Sequence, residues 1–300
     1  MPANPEKSSA YTGRFAPSPT GDLHFGSLLA AVASYLQARR QSGQWLVRID
    51  DIDPPREVEG SADRILRDLA AFGMRPDGEV FYQSQRTSAY RTACQQLLDQ
   101  GLAYYCGCTR AELKPGDAYP GTCRNGVPTG KQARSVRLRT DRARIEFRDG
   151  VQGQQFSELE SEQGDFVIWR ADGLPAYQLA AALDDVQQNI TEVVRGADLL
   201  NSTFRQIHVQ RVLGLPSPAY AHVPVVTVSG DKLSKRLNSD PLAGSEPVLT
   251  LYRALRFLGQ DPPGVPEFGE MWAWAEENWD LAKVPAVRSA ELQAVSGDSG

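Results

Sequence analysis

No stretch of the 300-residue sequence holds the ~18 consecutive apolar residues that a membrane-spanning helix needs, so no membrane span is expected. The N-terminal stretch "MPANPEKSSAYT" has no apolar core and does not read as a signal peptide. Residues 1–12 are expected to form a short disordered tail, with the cytoplasm as the location. Positive charge is in short supply: 32 Lys and Arg against 37 Asp and Glu give a formal net charge of −5. A protein that binds nucleic acid over its whole surface is usually basic, so any such contact here needs a local patch. "KQARSVRLRTDRARIEFR" (131–148) is the best candidate, with seven basic and two acidic residues, although a solvated, alternating strand face gives the same pattern. Histidine and cysteine are scarce, at three and four residues, and no internal repeat is present. What remains is ordinary for a globular protein: 41% hydrophobic and 23% charged residues, enough for one large domain or two smaller ones.

A short strand is expected at "YTGRFAPS". "SLLAAVASYLQARRQSG" places Leu28, Val32, Tyr35 and Leu36 at helical spacing before Gly43. "QWLVRIDDID" is a short apolar run turning acidic, which predicts a buried strand with carboxylates at its C-terminal end. "SADRILRDLAAFG" puts Ile65, Leu66, Leu69 and Phe72 on one face, with Gly73 as the stop. Strand, helix, strand, helix predicts a parallel sheet with helical crossovers. Residues 103–165 are rich in Gly, Cys, Arg and Gln and lack long periodic stretches, which suggests an inserted subdomain. Periodicity resumes with "DFVIWR", "PAYQLAAALDD", "TEVVRGADLL", a helix over "NSTFRQIHVQRVLG" and the strand "HVPVVTV". Helices are expected around 247–259 and 268–283, and the last dozen residues are expected to fray.

"RFAPSPTGDLHFGS" (14–27) packs two prolines and two glycines directly before the first helix. In a parallel sheet, phosphates bind where a strand ends and a helix begins, because the free N–H groups and dipole of the first turn favour anions. Gly21 and Gly26 would let backbone approach a nucleotide, and the prolines would stiffen the loop. His24 can donate to a phosphate, and Ser27 can cap the helix or reach a phosphate. About two hundred residues on, "VSGDKLSKRLNS" sets Lys232 and Lys235 either side of Ser234 in a Gly/Ser/Asp-rich loop. Such a loop can close over a triphosphate and neutralise charge built up at the α-phosphate.

Cys94 falls on a helical stripe with Tyr90, Ala93, Leu97 and Leu98 and is expected in a core. Cys106, Cys108 and Cys123 are close in sequence. In a reducing compartment that clustering suggests a soft metal site suited to zinc rather than disulfides.

"HFGS" and "KLSKR" resemble the HIGH and KMSKS signatures of class I aminoacyl-tRNA synthetases. "GRFAPSPTGDLHFGS", "LVRIDDIDPPRE", "AYQLA...DD" and "VVRGADLL" are similar to glutamyl-tRNA synthetase catalytic domains over about residues 13–240. "DDIDPPREVEGSA", "YYCGCTRAEL" and the cysteine cluster look like the shorter paralogous family, the glutamyl-Q tRNA(Asp) synthetases. The chain runs only about sixty residues past the KMSKS-like loop, which fits that family, so no anticodon-binding domain is expected. The resemblance implies an α/β fold: a Rossmann-type parallel-sheet catalytic domain over 13–102 and 166–240, a zinc-bearing insertion over 103–165 and a short helical C-terminal region over 241–300.

It also implies the chemistry: glutamate is activated with ATP as glutamyl-adenylate, then transferred to the queuosine base in the anticodon of tRNA(Asp). Arg14 and Arg195 suit planar carboxylates, and the resemblance sets Arg195 against the side-chain carboxylate of glutamate. Ala16, Ser18 and Tyr177 would complete the amino-acid pocket. Asp50, where the family usually has Glu, would bind the ammonium group. Gly21, His24, Gly26, Ser27 and Lys235 would contact ATP, which brings Mg²⁺. His24, Lys232 and Lys235 would be the catalytic groups. The resemblance offers Tyr119 as a fourth zinc ligand beside Cys106, Cys108 and Cys123, with Asp117 or water as alternatives. A monomer is expected. The rival functions are a truncated glutamyl-tRNA synthetase that charges the 3′ end of tRNA(Glu), a tRNA-binding relative without chemistry, and a small nucleotidyltransferase.

Overall fold

The structure is a computed structural model, and it describes residues 10–113, 118–228, 231–232, 242 and 246–292. The chain begins with β1 (Thr12–Phe15), α1 (Phe25–Arg40), β2 (Gln44–Ile49), α2 (Ser61–Ala71), β3 (Phe81–Tyr82) and α3 (Thr87–Asp99). The middle holds β4 (Ala103–Cys106), β5 (Ser135–Leu138), β6 (Arg144–Asp149), β7 (Gly153–Glu158), the single turn α4 (Leu159–Glu162) and β8 (Phe166–Trp169). There follow α5 (Tyr177–Gln187), β9 (Glu192–Gly196), α6 (Leu200–Val212), β10 (Ala219–Val223), β11 (Val225–Val228), β12 (Asp231–Lys232), α7 (Pro247–Phe257), α8 (Phe268–Asn278) and β13 (Ser289–Glu291).

The expected parallel sheet is present. β1 pairs with β2 and β2 with β3, while β9 pairs with β10 and β10 with β6, all parallel. The two halves meet at the start of β1 and β9. There the Thr191 N–H donates to Thr12 O and the Thr12 N–H to Thr191 Oγ1, both at 2.9 Å. The order across the sheet is therefore β3-β2-β1-β9-β10-β6-β7. It reverses direction between β1 and β9, where doubly wound sheets open a crevice at the strands' C-terminal ends.

Side chains alternate along a strand, so each strand serves two faces. Phe15, Trp45, Val47, Ile49, Val194, Ala221 and Val223 pack with α1 in the largest core. Helix α1 is buried on most sides because α7 and α8 close over it. Tyr35 meets Trp272 edge-on with ring centroids 5.1 Å apart, and the Trp279 indole N–H donates to Gln37 Oε1 at 2.9 Å. On the other face Leu46, Val193 and Tyr220 pack with Phe204 and Ile207 of α6.

A second, antiparallel sheet, β4-β5-β8, packs on α3 and α5, and Cys94 is buried there as expected. The segment 103–165 is divided between sheets: β4 and β5 join β8, whereas the hairpin β6–β7 extends the central sheet beside β10. Three local expectations are corrected. Thr12, assigned to the tail, begins β1, because its carbonyl and N–H are both taken by Thr191. Ser289–Glu291, expected to fray, pair with β11. The helix expected over 268–283 ends at Asn278, and Leu281–Lys283 form a separate 3₁₀ turn capped by Asp280. Among the described residues no helix is long and apolar enough to cross a membrane.

Candidate active site at the switch point

The loop from β1 to α1 is stitched to its neighbours. The Asp50 N–H donates to Pro17 O and the Val58 N–H to Pro19 O, both at 2.9 Å. Ser61, first residue of α2, donates its hydroxyl to Gly21 O at 2.5 Å and receives the Gly21 N–H at 3.3 Å. Gly21 has φ +155° with no neighbour within 4 Å of a Cβ, so its backbone conformation, not crowding, calls for glycine. Ala16 is half-buried and Ser18 exposed on this loop.

The cap of α1 is His24, not Ser27. His24 has extended backbone, outside the helix, while Ser27 is already helical and its own N–H needs an acceptor. His24 Nδ1 accepts that N–H at 3.3 Å, and Nε2 lies 3.0 Å from Ser27 Oγ. An accepting Nδ1 leaves the proton on Nε2. Burial lowers the His24 pKa and keeps the ring neutral. A Cβ at Gly26 would sit 3.1–3.2 Å from the ring, so glycine makes room for it. The first turn of α1 carries no acidic side chain, so apart from the Ser27 N–H, which His24 takes, its free N–H groups and dipole favour an anion.

Along the strands, period two puts Arg14, Arg48, Asp50 and Arg195 on the face opposite α1, under α5 and α6. Asp185 of α5 accepts on Oδ1 from Arg14 Nε at 3.2 Å and from Arg48 Nη1 at 2.7 Å. Arg48 Nε donates to Asp50 Oδ1 at 2.8 Å. The Nη atoms of Arg14 have no hydrogen-bond partner among the described residues. Two buried atoms here, Arg48 Nη2 and Asp185 Oδ2, also lack partners. Burial pushes the Asp50 carboxyl up to about 6, against the pull of Arg48.

Arg195 is the most constrained group. Nε donates to His222 Nε2 at 3.1 Å, Nη1 to Tyr177 OH at 3.2 Å, and Nη2 to Thr203 Oγ1 and Gln206 Oε1 at 2.7 and 2.8 Å. Since His222 Nε2 accepts, its proton is on Nδ1, 2.5 Å from Asp149 Oδ2. Burial, helped by the charge of Arg195, brings the His222 pKa down to about 4 despite Asp149, so the ring is neutral at pH 7. Asp149 stays ionised, its burial outweighed by His222 and by N–H groups including that of Gln152. One Nη1 hydrogen of Arg195 and the Tyr177 hydroxyl hydrogen remain for a ligand carboxylate.

The cysteine cluster lies apart from this face. The thiol sulfurs of Cys106, Cys108 and Cys123 all lie within 4.8 Å of one another, and Cys108 and Cys123 are 3.7 Å apart. Tetrahedral Zn–S bonds of about 2.3 Å require sulfurs about 3.8 Å apart, so the set fits zinc. Tyr119 OH stands 3.4 and 3.5 Å from Cys106 and Cys108 Sγ and accepts the Cys123 N–H at 3.1 Å. The Arg137 Nε donates to Cys106 Sγ at 3.3 Å. Burial would raise the Cys106 thiol, but hydrogen bonds from Tyr119, the Cys108 backbone and Arg137 bring it to about 7. Asp117 and Lys235 lie outside the described residues. Lys232 is in β12, and its side chain is not described.

The structure thus brings Arg14, Asp50, Tyr177 and Arg195 together, and sets the loop with Ala16, Ser18 and Gly21 beside the His24–Gly26–Ser27 helix start. Sequence reasoning missed Arg48, Asp149, Asp185 and His222. For Arg48 and His222 the signal is strand alternation: Arg48 and Asp50 sit out of phase with Trp45, Val47 and Ile49, as do Tyr220 and His222 with Ala221 and Val223.

A doubly wound sheet with an anion-ready helix start and two arginines flanking the switch point defines a nucleotide- and carboxylate-binding domain of class I synthetase type. The family described as tRNA synthetases class I (E and Q), catalytic domain, matches residues 11–270, and the chain belongs to it. A relative from Dechloromonas aromatica, named glutamyl-Q tRNA(Asp) synthetase, is 53% identical over 93% of this chain and 97% of its own length. One of the same name from Chromobacterium violaceum is 49% identical over 93% and 97%. Among solved structures, the glutamate-tRNA synthetase of Elizabethkingia anophelis superposes with a TM-score of 0.79 at 25% identity, covering 95% of this chain and 68% of that one.

Proposed function

We propose that the chain activates glutamate with ATP and transfers the glutamyl group to the queuosine base in the anticodon of tRNA(Asp). The observation that carries this is the near-full-length match, at about half identity, to relatives of that name. The pocket chemistry agrees with it. Glutamate has two carboxylates, and two arginines flank the switch point. The side-chain carboxylate would take the free Nη1 hydrogen of Arg195 and the hydroxyl of Tyr177. Arg14 would offer its unpartnered Nη groups to the other carboxylate, and Asp50 would receive the ammonium group, with Ala16 and Ser18 on the loop beside them.

In the activation step an oxygen of the α-carboxylate attacks the α-phosphate of ATP. The new bond is O–P, the α–β phosphoanhydride breaks, and pyrophosphate leaves with the electron pair. No covalent enzyme intermediate is needed, so the protein positions reactants and offsets charge. Gly21, Gly26, Ser27 and the α1 N-terminus would cradle phosphates, with His24 donating from Nε2. Lys232 and Lys235 would supply positive charge to the leaving group, together with Mg²⁺ on ATP. Zinc, held by Cys106, Cys108, Cys123 and Tyr119, would tie together a region with little apolar core. The protein would act as a cytoplasmic monomer.

The test is to charge queuosine-containing tRNA(Asp) with labelled glutamate and map the label by nuclease digestion. The label is expected on the anticodon fragment. Label on the 3′-terminal adenosine overturns the proposal in favour of 3′-end charging.

A further inference from the structure

We propose that the cavity between α6, β7 and Arg288 binds a nucleotide of single-stranded RNA, with its phosphate on Arg205 and Arg288 and its base on Phe156. The inference deepens the functional reading, on which the identity of the RNA as a tRNA loop rests.

The basic segment 131–148 was the natural place for an RNA contact, but most of its charge is committed within the protein. Lys131 pairs with Glu112 at 2.6 Å and Arg144 with Glu158 at 3.2 Å. Arg137 is bound to Cys106 Sγ and to Asp165 O, and Arg139 to Arg124 O and Asp141. Arg134, Arg142 and Arg148 remain uncommitted among the described residues, and a protein of net charge −5 gains from further cations placed elsewhere.

The cavity, about 480 Å³, is lined by Gln155, Phe156, Gln163, Asn201, Arg205 and Arg288, among others. Its volume falls within the range of small-ligand sites. Arg205 is half-buried and makes no ion pair among the described residues. Its Nε donates to Gln163 Oε1 at 2.5 Å, and its guanidinium lies 5.9 Å from the Phe166 ring. Burial alone acts on it and lowers its pKa. A part-buried cation without a counter-charge is costly, and a phosphate would remove that cost. Arg288 is exposed, and its side chain has no hydrogen bond or ion pair among the described residues. Glu162 also lines the cavity, but its carboxylate is occupied by Ser157 Oγ at 2.7 Å and the Glu158 N–H at 3.2 Å. Phe156 is 50% exposed, a large apolar ring left in solvent on β7, with Arg144 5.5 Å from its centroid. Such a ring is a stacking platform for a base, and the amides of Gln155 and Asn201 can meet its edge.

Position supports the assignment. Helix α6 turns Thr203 and Gln206 to Arg195, while Asn201, Phe204 and Arg205 line the cavity. RNA held there is separated from the amino-acid pocket by one helix, a distance of about 10 Å.

The experiment is a fluorescence-anisotropy titration of the full chain with a labelled stem-loop RNA carrying the anticodon loop of tRNA(Asp), at several salt concentrations. For Arg288→Gln and Phe156→Ala, Kd is expected to rise about tenfold. The slope of log Kd against log salt should fall by about 0.7 for Arg288→Gln and stay unchanged for Phe156→Ala. Arg205→Gln should behave as Arg288→Gln. If that half-buried variant does not fold, the two surface variants decide. ATP–pyrophosphate exchange with glutamate should stay at the wild-type rate in all of them. Kd and slope within twofold of wild type for both Arg288→Gln and Phe156→Ala overturn the proposal. Absence of glutamyl transfer to tRNA by the wild-type chain would sink the functional reading instead, while the RNA titration would still decide this site.

Discussion

The central sheet has two faces that are equally buried and chemically opposite. Toward α1, Trp45, Val47 and Ile49 are fully buried among apolar side chains. Toward α5 and α6, the same strand buries Arg48 just as fully, and its neighbours bury Arg195 and His222. Burial of apolar surface stabilises the fold by about 25 cal/mol per Å². Burial of charge costs energy unless each charge is paired and hydrogen-bonded. The first face is there for stability. The second is costly for stability, and on the proposed function its charges would make a carboxylate- and ammonium-binding site.

Substitutions on the two faces should therefore separate stability from substrate binding. Trp45→Ala is expected to cost about 3–5 kcal/mol of folding stability, the range for a buried aromatic replaced by alanine. Denaturant titration should show a lowered midpoint, with the glutamate KM of the folded fraction within twofold of wild type. A glutamate KM raised more than the midpoint loss accounts for would break the division of labour. Arg195→Ala, on the other face, removes a desolvated charge worth about 2–5 kcal/mol to its ligand. In ATP–pyrophosphate exchange kcat/KM for glutamate should fall by about 30- to 5,000-fold while the KM for ATP stays within twofold.

His222→Leu should act more weakly, through Arg195. It deletes the acceptor for Arg195 Nε and leaves Asp149 facing a hydrocarbon. A hydrogen bond to a charged group is worth about 1.5–3 kcal/mol, so the glutamate KM should rise about 10- to 150-fold with kcat little changed. His222→Gln, which keeps an acceptor, should recover part of the loss. Equal losses in both variants would mean that His222 only fills space.

The two faces were not equally legible in the sequence. The apolar one was, because Leu28, Val32, Tyr35 and Leu36, and the run "QWLVRI", announce a helix on a buried strand. Arg14, Asp50, Tyr177 and Arg195 were found through motif resemblance. Arg48 and Asp185 lie inside the motifs "LVRIDDIDPPRE" and "AYQLA...DD" but drew no role from them, Asp149 and His222 lie in no motif, and the four come from four different elements. Their meeting depends on strand order, which brings β6 beside β10, and on helix docking, which lowers α5 onto the β1–β2 face. A linear reading cannot rank such pairings. His222 lies 27 residues beyond Arg195 in sequence, and folding puts it 3.1 Å from that guanidinium. The zinc-type cluster was legible because its spacing is local.

The smallest expected effect tests the charged face by pH alone. Burial raises the Asp50 carboxyl to about 6. Its ionised form, the one able to hold an ammonium group, prevails above that pH and is lost as pH falls through it. Between pH 7.5 and pH 5 the ionised fraction drops about tenfold for a pKa near 6. The glutamate KM should therefore rise about tenfold over that window, with the ATP KM flat. His222 stays neutral throughout, its pKa being about 4, so it adds nothing to this limb. Asp50→Asn should raise the KM at pH 7.5 and remove the pH dependence below 7. An acid limb that survives in Asp50→Asn would assign the titration to another group, and not to Asp185, whose carboxyl, despite its burial, Arg14 and Arg48 hold below the usual carboxylate range and so ionised throughout this window.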